Sequence, residues 1–276
     1  MRRIGLTSDE DVPCLGQGTW NMGERSQSRD DEIRALRVGI ELGMTLIDTA
    51  EMYGDGATET LVGEAIAGLR DQVFLVSKAY PQNASRDRLA RACEASLRRL
   101  GTDRLDLYLL HWRGRIPLSE TVEAMEALRR DGKIRHWGVS NLDTDDMIEL
   151  LSAGGAVCVA DQILYNLTRR GPEHALIPWL EQHDMAVMAY SPVEQGRLIG
   201  DQKLATIAAE AQLTPGQLAL AWTLRQPNLV AIPKASDVTH VRENRAAADV
   251  VLDRVTLDKL DAVFRAPRGP VALEML

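Results

Sequence analysis

Four polar residues with complementary chemistry stand at or just beyond short apolar runs: Asp48, Tyr53, Lys78 and His111. Asp48 ends Thr45-Leu46-Ile47-Asp48, Lys78 ends Val73-Phe74-Leu75-Val76-Ser77-Lys78, and His111 ends Leu107-Tyr108-Leu109-Leu110-His111. Tyr53 follows Asp48 by five residues, in a segment opened by Gly54 and Gly56. Burying one unpaired charge is costly. A carboxylate can hold an ammonium, and a phenol and an imidazole beside them can move a proton. Singly, each residue has a plainer reading. Asp48 could cap a helix, Lys78 could lie on the surface, Tyr53 could be an ordinary loop tyrosine and His111 a satisfied core histidine. Together they make sense if parallel strands bring their carboxyl ends to one place.

That grouping suits the reduction of a carbonyl. A free phenol has a pKa of about 10. A neighbouring ammonium should bring it down, and an aspartate should keep the lysine charged in a partly dry pocket. A neutral imidazole can orient the substrate oxygen by a hydrogen bond, and Tyr53 can protonate it. No side chain supplies hydride, so a nicotinamide is required. Two rivals use the same residues. Lys78 could be the nucleophile of a Schiff-base lyase, which needs a neutral amine that Asp48 opposes. Alternatively, the chain could be a slow nucleotide-binding subunit that senses redox state for a partner.

The strands that would position these groups recur at 14–18, 45–48, 73–77, 105–110, 134–139, 157–162, 185–190 and 229–232. Between them lie helical spacings such as Ile33, Leu36 and Ile40; Leu89, Cys93, Ser96, Leu97 and Leu100; and Val122, Met125 and Leu128. Ser85 and Ser119 are candidate helix caps, and Thr214-Pro215-Gly216-Gln217 places a proline in a first turn. Eight strand–helix repeats in 276 residues predict an α/β fold, a single-domain (β/α)8 TIM barrel over residues 1–276. An open dinucleotide sheet is the rival, but Gly16-Gln17-Gly18 is followed by Asn21 where a third glycine belongs. In a barrel the strand ends read, in order, Asp48, Lys78, His111, Asn141, Gln162, Tyr190 and Lys234. The apolar tail Val271, Leu273, Met275 and Leu276 is expected to fold over the mouth.

Composition narrows the partners. The net charge is −8 with no basic stripe, which argues against nucleic acid. No apolar run reaches membrane-spanning length, and the amino terminus lacks a signal-peptide pattern. Cys14, Cys93 and Cys158 are sparse and odd in number, so a reducing, cytoplasmic location is expected and a disulfide framework is not. No metal is expected. The expected partner is a small carbonyl substrate, and the expected state a monomer or weak homo-oligomer.

The chain resembles the aldo-keto reductase superfamily over essentially its whole length. The motifs that carry this are Leu46-Ile47-Asp48-Thr49-Ala50-Glu51-Met52-Tyr53-Gly54, Val76-Ser77-Lys78, Leu107-Tyr108-Leu109-Leu110-His111-Trp112, Gly138-Val139-Ser140-Asn141 and Ala231-Ile232-Pro233-Lys234. Gly16-Gln17-Gly18-Thr19-Trp20 and Thr49-Ala50-Glu51-Met52-Tyr53 are most like its bacterial methylglyoxal-reducing branch. The resemblance implies a (β/α)8 barrel, NADPH (with NADH possible), and a catalytic tetrad of Asp48, Tyr53, Lys78 and His111. It implies that Ser140, Asn141 and Gln162 hold the nicotinamide carboxamide and that Tyr190 stacks on the ring. Gly18, Thr19, Trp20, Asp48, Ser191 and Pro192 are its further cofactor neighbours. Segment 193–198 would cover the pyrophosphate through backbone amides.

The adenosine-phosphate end departs from the family pattern. Lys234 is present, Ala235 replaces the usual serine with Ser236 one place later, and His240 replaces an arginine. Asn244 matches an implied adenine contact, and Arg242, two residues past the arginine position and about half a helical turn away, could reach round to compensate or could simply face solvent. Trp20, Tyr80, His111 and Trp112 are the expected substrate pocket. The loop Trp112-Arg113-Gly114-Arg115-Ile116-Pro117 is short, which predicts an open site for small or varied aldehydes, and Arg113 and Arg115 could draw an anionic group.

Overall fold

A computed structural model describes residues 1–24 and 28–276. Eight parallel strands form the centre: β3 (Gln17–Gly18), β4 (Leu46–Asp48), β5 (Phe74–Ala79), β6 (Leu105–Leu110), β7 (Ile134–Ser140), β8 (Ala160–Leu164), β9 (Ala186–Tyr190) and β10 (Leu229–Ala231). They pair in sequence order. The sheet closes on itself, because Leu15 and Gly18 bridge in parallel to Ala231 and Lys234. Gly16 N donates to Ala231 O at 2.9 Å, and Gly18 N to Pro233 O at 3.0 Å. The result is the (β/α)8 barrel. Every residue of β5 and β6 is buried, as expected of parallel strands covered on both faces.

Helices α1 (Arg29–Glu41), α2 (Ala57–Ile66), α3 (Arg86–Leu100), α4 (Leu118–Arg130), α5 (Thr144–Ser152) and α6 (Leu176–Gln182) each follow one strand. Two, α7 (Gln202–Glu210) and α8 (Pro215–Leu224), follow β9; α9 (Val238–Ala247) and α10 (Arg254–Val263) follow β10. The apolar spacings do bury their helices: Leu89, Cys93, Ser96, Leu97 and Leu100 on α3, and Val122, Met125 and Leu128 on α4. Thr214 and Gln217 form a reciprocal capping box around Pro215. Ser85 stands at the N-cap of α3 without a side-chain cap bond. Ser119 is not a cap, because α4 begins at Leu118 with Pro117 before it.

Two local readings shift. The strand expected at 157–162 runs instead from Ala160 to Leu164, and Cys158 N still closes a turn onto Gly155 O at 3.0 Å before it. A hairpin of β1 (Arg3–Thr7) and β2 (Glu10–Pro13) precedes the barrel and was not anticipated. Its signal is the alternation that buries Ile4 and Leu6. It lies across the amino ends of the strands. Arg2 donates to the carbonyls of Leu224 and Gln226, each at 2.8 Å, just before β10, and Glu10 pairs with Arg135 at the start of β7.

The glycines of Gly16-Gln17-Gly18 serve barrel closure. A Cβ on Gly18 would sit 2.6 Å from Ile232 O, and one on Gly16 would sit 2.9 Å from Leu46 O. Backbone cannot yield as a flexible side chain can. Gly18→Ala should therefore cost about 1–3 kcal/mol, read as a lower denaturant midpoint; an unchanged midpoint would show that the seam is loose.

Candidate active site

The parallel register puts the carboxyl ends of all eight strands on one side, and the tetrad assembles there. Lys78 Nζ donates to Asp48 Oδ2 at 2.8 Å, to Thr49 O at 2.9 Å and to Tyr53 OH at 3.0 Å. Lys78 is fully buried and Asp48 is 2% exposed. Tyr53 sits in a turn after β4, half-buried, where Gly54 and Asp55 both take positive φ. The His111 ring meets the Tyr53 ring edge-on, with centroids 5.9 Å apart. So all four residues share one small volume at the barrel mouth.

Their protonation follows from burial and charge. Burial alone would lower Lys78, but Asp48 and Tyr53 outweigh it and hold the ammonium above the usual lysine value. His111 is pushed down to about 2, by burial first and by the Lys78 charge second, so its imidazole is neutral. Its buried Nδ1 has no hydrogen-bond partner among the described residues. Tyr53 corrects an expectation. Lys78 does pull the phenol downward, but burial, helped by Asp48, wins and raises it. The resting tyrosine therefore keeps its proton.

The neighbouring corner is equally well defined. Ser140 Oγ donates to Gln162 O at 2.7 Å. Asn141, at φ 60°, donates through Nδ2 to His111 O at 3.1 Å and to Ser140 Oγ at 3.0 Å. Tyr190 OH donates to Asn141 Oδ1 at 2.9 Å. Burial pushes the Tyr190 phenol up to about 12, against a hydrogen bond to the Leu276 backbone. Gln162 Nε2 donates to Asp48 Oδ1 at 2.7 Å, so this side chain reaches the tetrad as well as the corner. Thr19 Oγ1 and N both donate to Asp48 O, at 2.9 and 3.1 Å, which sets Gly18, Thr19 and Trp20 beside the tetrad. Ser191, at φ 48°, follows Tyr190, and its carbonyl accepts from Asn166 Nδ2 at 2.9 Å; Pro192 comes next.

Tyr80, Trp112 and His111 form a continuous aromatic wall. The Tyr80 and Trp112 centroids lie 5.8 Å apart edge-to-face, and those of Trp112 and His111 lie 4.9 Å apart. Trp20 is 42% exposed. Arg113 is not available to an anion: it bonds Glu149 at 2.8 Å and the carbonyls of Gly114 and Ile116, both at 2.9 Å. Arg115 is exposed. The tail crosses the mouth. Leu273 N donates to Asp143 Oδ2 at 2.9 Å, and Glu274 pairs with Arg169 at 2.5 Å. Two open grooves of mixed charge along α3 lie on the outside of the barrel, lined by residues such as Glu94 and Lys133 or Arg86 and Asp131.

At the far end of the mouth, Lys234 Nζ donates to Ser236 Oγ at 3.2 Å. Arg242 and His240 are exposed on α9, and Asn244 is half-buried. Several residues here escaped sequence reasoning. Asp237 caps α9, accepting from Thr239 N and His240 N, and so places a carboxylate beside Lys234 and Ser236. Glu194, buried at φ 52°, gathers Arg169, Arg197 and Asn166 and fixes the segment after Tyr190. Glu51 receives Tyr80 N at 2.6 Å and Asn83 Nδ2 at 2.9 Å, and so anchors the aromatic wall. Only Glu51 had a visible signal: an acidic residue two places before Tyr53.

The Aldo/keto reductase family model matches residues 14–265. The chain belongs to the aldo/keto reductase family. It is 51% identical to the methylglyoxal reductase YeaE of Escherichia coli (strain K12), over 100% of this chain and 99% of that one. An aldo-keto reductase from Klebsiella pneumoniae, solved in complex with NADPH, is 50% identical with a TM-score of 0.97, covering 100% of this chain and 99% of that one. A Klebsiella pneumoniae aldo/keto reductase solved with NADP and acetate is 52% identical with a TM-score of 0.94, covering 96% of each chain. Among the described residues no helix is long and apolar enough to cross a membrane, and no group of three or more His, Cys, Asp or Glu side chains is placed to hold a metal ion.

Two stability predictions follow from the burial of these charges. Asp48→Asn alone should cost about 3–5 kcal/mol by leaving Lys78 without its counter-charge, and adding Lys78→Met should recover much of it. Additive losses in a denaturant double-mutant cycle would contradict the coupling. For His111, the unfolded imidazole binds a proton below pH ~6.5 while the folded one does so only near 2. The unfolded state thus binds more protons, so this contribution to stability falls as pH drops through that window, by about 1.4 kcal/mol per pH unit. His111→Gln should flatten the slope by one proton.

Proposed function

We propose that this protein is an NADPH-dependent aldo-keto reductase that converts aldehydes and ketones to alcohols, with methylglyoxal-like dicarbonyls as the leading substrates. One observation carries the reading: a fully buried lysine ammonium held at 2.8 Å by Asp48 and at 3.0 Å by the Tyr53 hydroxyl. Amide and hydroxyl groups of Ser140, Asn141 and Gln162 suit a carboxamide. Lys234, Ser236 and Arg242, with Asn244 nearby, suit the charge of a phosphorylated adenosine. Tyr190, Ser191 and Pro192 on one side and Gly18, Thr19 and Trp20 on the other would flank the cofactor. When bound, the nicotinamide supplies hydride to the carbonyl carbon.

The protein's own residues supply the rest. Neutral His111 donates a hydrogen bond to the substrate oxygen and orients it against Tyr53. Burial keeps Tyr53 protonated at rest, so a proton is in hand when the oxygen gains charge. Tyr53 OH then gives that proton to the oxygen, and the phenolate left behind is stabilised by Lys78 at 3.0 Å. Asp48 keeps the ammonium in place, and Trp112, Tyr80 and Trp20 present apolar surface to the substrate. The Schiff-base alternative needs a neutral amine, and burial would favour one, but Asp48 and Tyr53 push Lys78 the other way. The buried free thiols Cys14, Cys93 and Cys158 support a reducing, cytoplasmic setting. A monomer or weak homo-oligomer is the expected state.

Tyr53→Phe should lower kcat by about 100-fold or more while NADPH binding, followed by tryptophan quenching, stays near normal; turnover close to wild type would contradict the acid role. Separate titrations should show NADPH binding more tightly than NADH. Arg242→Ala should weaken NADPH by about tenfold and leave NADH unchanged. Equal losses for both cofactors would remove Arg242 from the phosphate contact.

A further inference from the structure

Gln162 does more in this structure than line a cofactor corner. Strands β4 and β8 face each other across the eight-stranded barrel, and the Gln162 side chain spans the interior to reach Asp48 Oδ1 at 2.7 Å. An ionised carboxylate only accepts hydrogen bonds, so the atom facing it is the amide nitrogen. Reversing the amide would set two acceptors against each other. Asp48 and Gln162 are each 2% exposed and Lys78 is fully buried, so water does not compete for these bonds. Asp48 thus has one oxygen held by Gln162 and the other by Lys78. Gln162 is itself anchored, because its backbone carbonyl accepts from Asn141 N at 3.0 Å and from Ser140 Oγ at 2.7 Å. Among the described residues it is the one that bonds both Asp48 and the Ser140–Asn141 corner.

We infer that Gln162 is a positioning residue for the Asp48–Lys78 pair: its amide orients the Asp48 carboxylate so that Oδ2 faces Lys78, and thereby sets how firmly Lys78 supports the Tyr53 hydroxyl. The inference rests on the reductase reading and adds to it a physical link between the carboxamide corner and the proton donor. Without the amide, Asp48 loses a fixed donor and can rotate. Lys78 is then held by Asp48 less squarely, and the phenolate of Tyr53 loses support. The consequence belongs to proton delivery, not to cofactor affinity alone.

Two substitutions separate these roles. Gln162→Met keeps the length of the side chain and removes the donor; kcat should fall about tenfold or more at every pH. Gln162→Glu restores a donor only while the introduced carboxyl is protonated. Its kcat should approach wild type at the acid end and fall along a new limb as pH rises, because ionisation sets two carboxylates against each other. A wild-type pH profile in Gln162→Glu, with only KM for NADPH altered, would overturn the inference in favour of a cofactor contact alone. A lower melting temperature with unchanged kcat in Gln162→Met would overturn it in favour of packing. A second readout needs no turnover. In the cofactor-free protein, the Tyr53 phenolate, isolated by ultraviolet difference titration against Tyr53→Phe, should appear at higher pH in Gln162→Met than in wild type; coincident titrations would sink the proposal. Absence of carbonyl reduction by the wild-type protein would instead refute the reductase reading, and the phenolate titration would still decide this one.

Discussion

An ammonium with no exposed surface has to replace its lost hydration, and Lys78 does so with three oxygens: the Asp48 carboxylate, the Thr49 carbonyl and the Tyr53 hydroxyl. Much of the barrel mouth is arranged by this requirement. A buried ion pair is a poor source of stability, since desolvation offsets its Coulomb attraction. Its value here is positional. It fixes the Tyr53 hydroxyl beside a cation, which would make loss of that proton tolerable. The same charge helps to hold His111 neutral, leaving a hydrogen-bond donor rather than a second cation at the barrel mouth.

The barrel is suited to this because parallel strands present their carboxyl ends together, so groups far apart in sequence become neighbours. Asp48, Lys78, His111, Asn141 and Tyr190 stand at or beside the ends of five strands and Gln162 lies within a sixth, β8, and hydrogen bonds join Asp48 to Lys78, Asp48 to Gln162 and Asn141 to Tyr190. The opposite end of the cylinder is closed by the amino-terminal hairpin and carries no part of this network. Outside the tetrad a second group of charges, centred on Glu194, holds the segment after Tyr190 and reaches the tail through Arg169 and Glu274. The tail is therefore tied to the same mouth as the tetrad.

The proposed phosphate end combines attraction and restraint. Lys234 and Arg242 are cations open to solvent, but Asp237 occupies the start of α9 with a carboxylate. That carboxylate satisfies the first backbone amides of the helix, which would otherwise be free for an anion. Charge for a phosphate must therefore come from side chains.

The alternation of apolar runs and helical spacings was enough to read the barrel, because a parallel strand buried on both faces leaves a nearly continuous aliphatic signature, as in β5 and β6. The tetrad was legible for a related reason: each of the four polar residues has a plain structural use alone, but their complementary chemistry at the ends of such strands does not follow from those uses together. Three things were decided only by the tertiary structure. The net direction of the Tyr53 shift depends on how completely the fold withdraws water, which no spacing encodes. The bond from Gln162 to Asp48 links residues 114 positions apart, and depends on the barrel closing with β8 opposite β4. The loss of Arg113 to Glu149, and of the α9 amides to Asp237, turns on which partner lies within bonding distance once the loops are packed. Sequence specifies which chemical groups are present and which periodicity carries them; distance and dielectric, which decide what those groups do to one another, exist only in the folded chain.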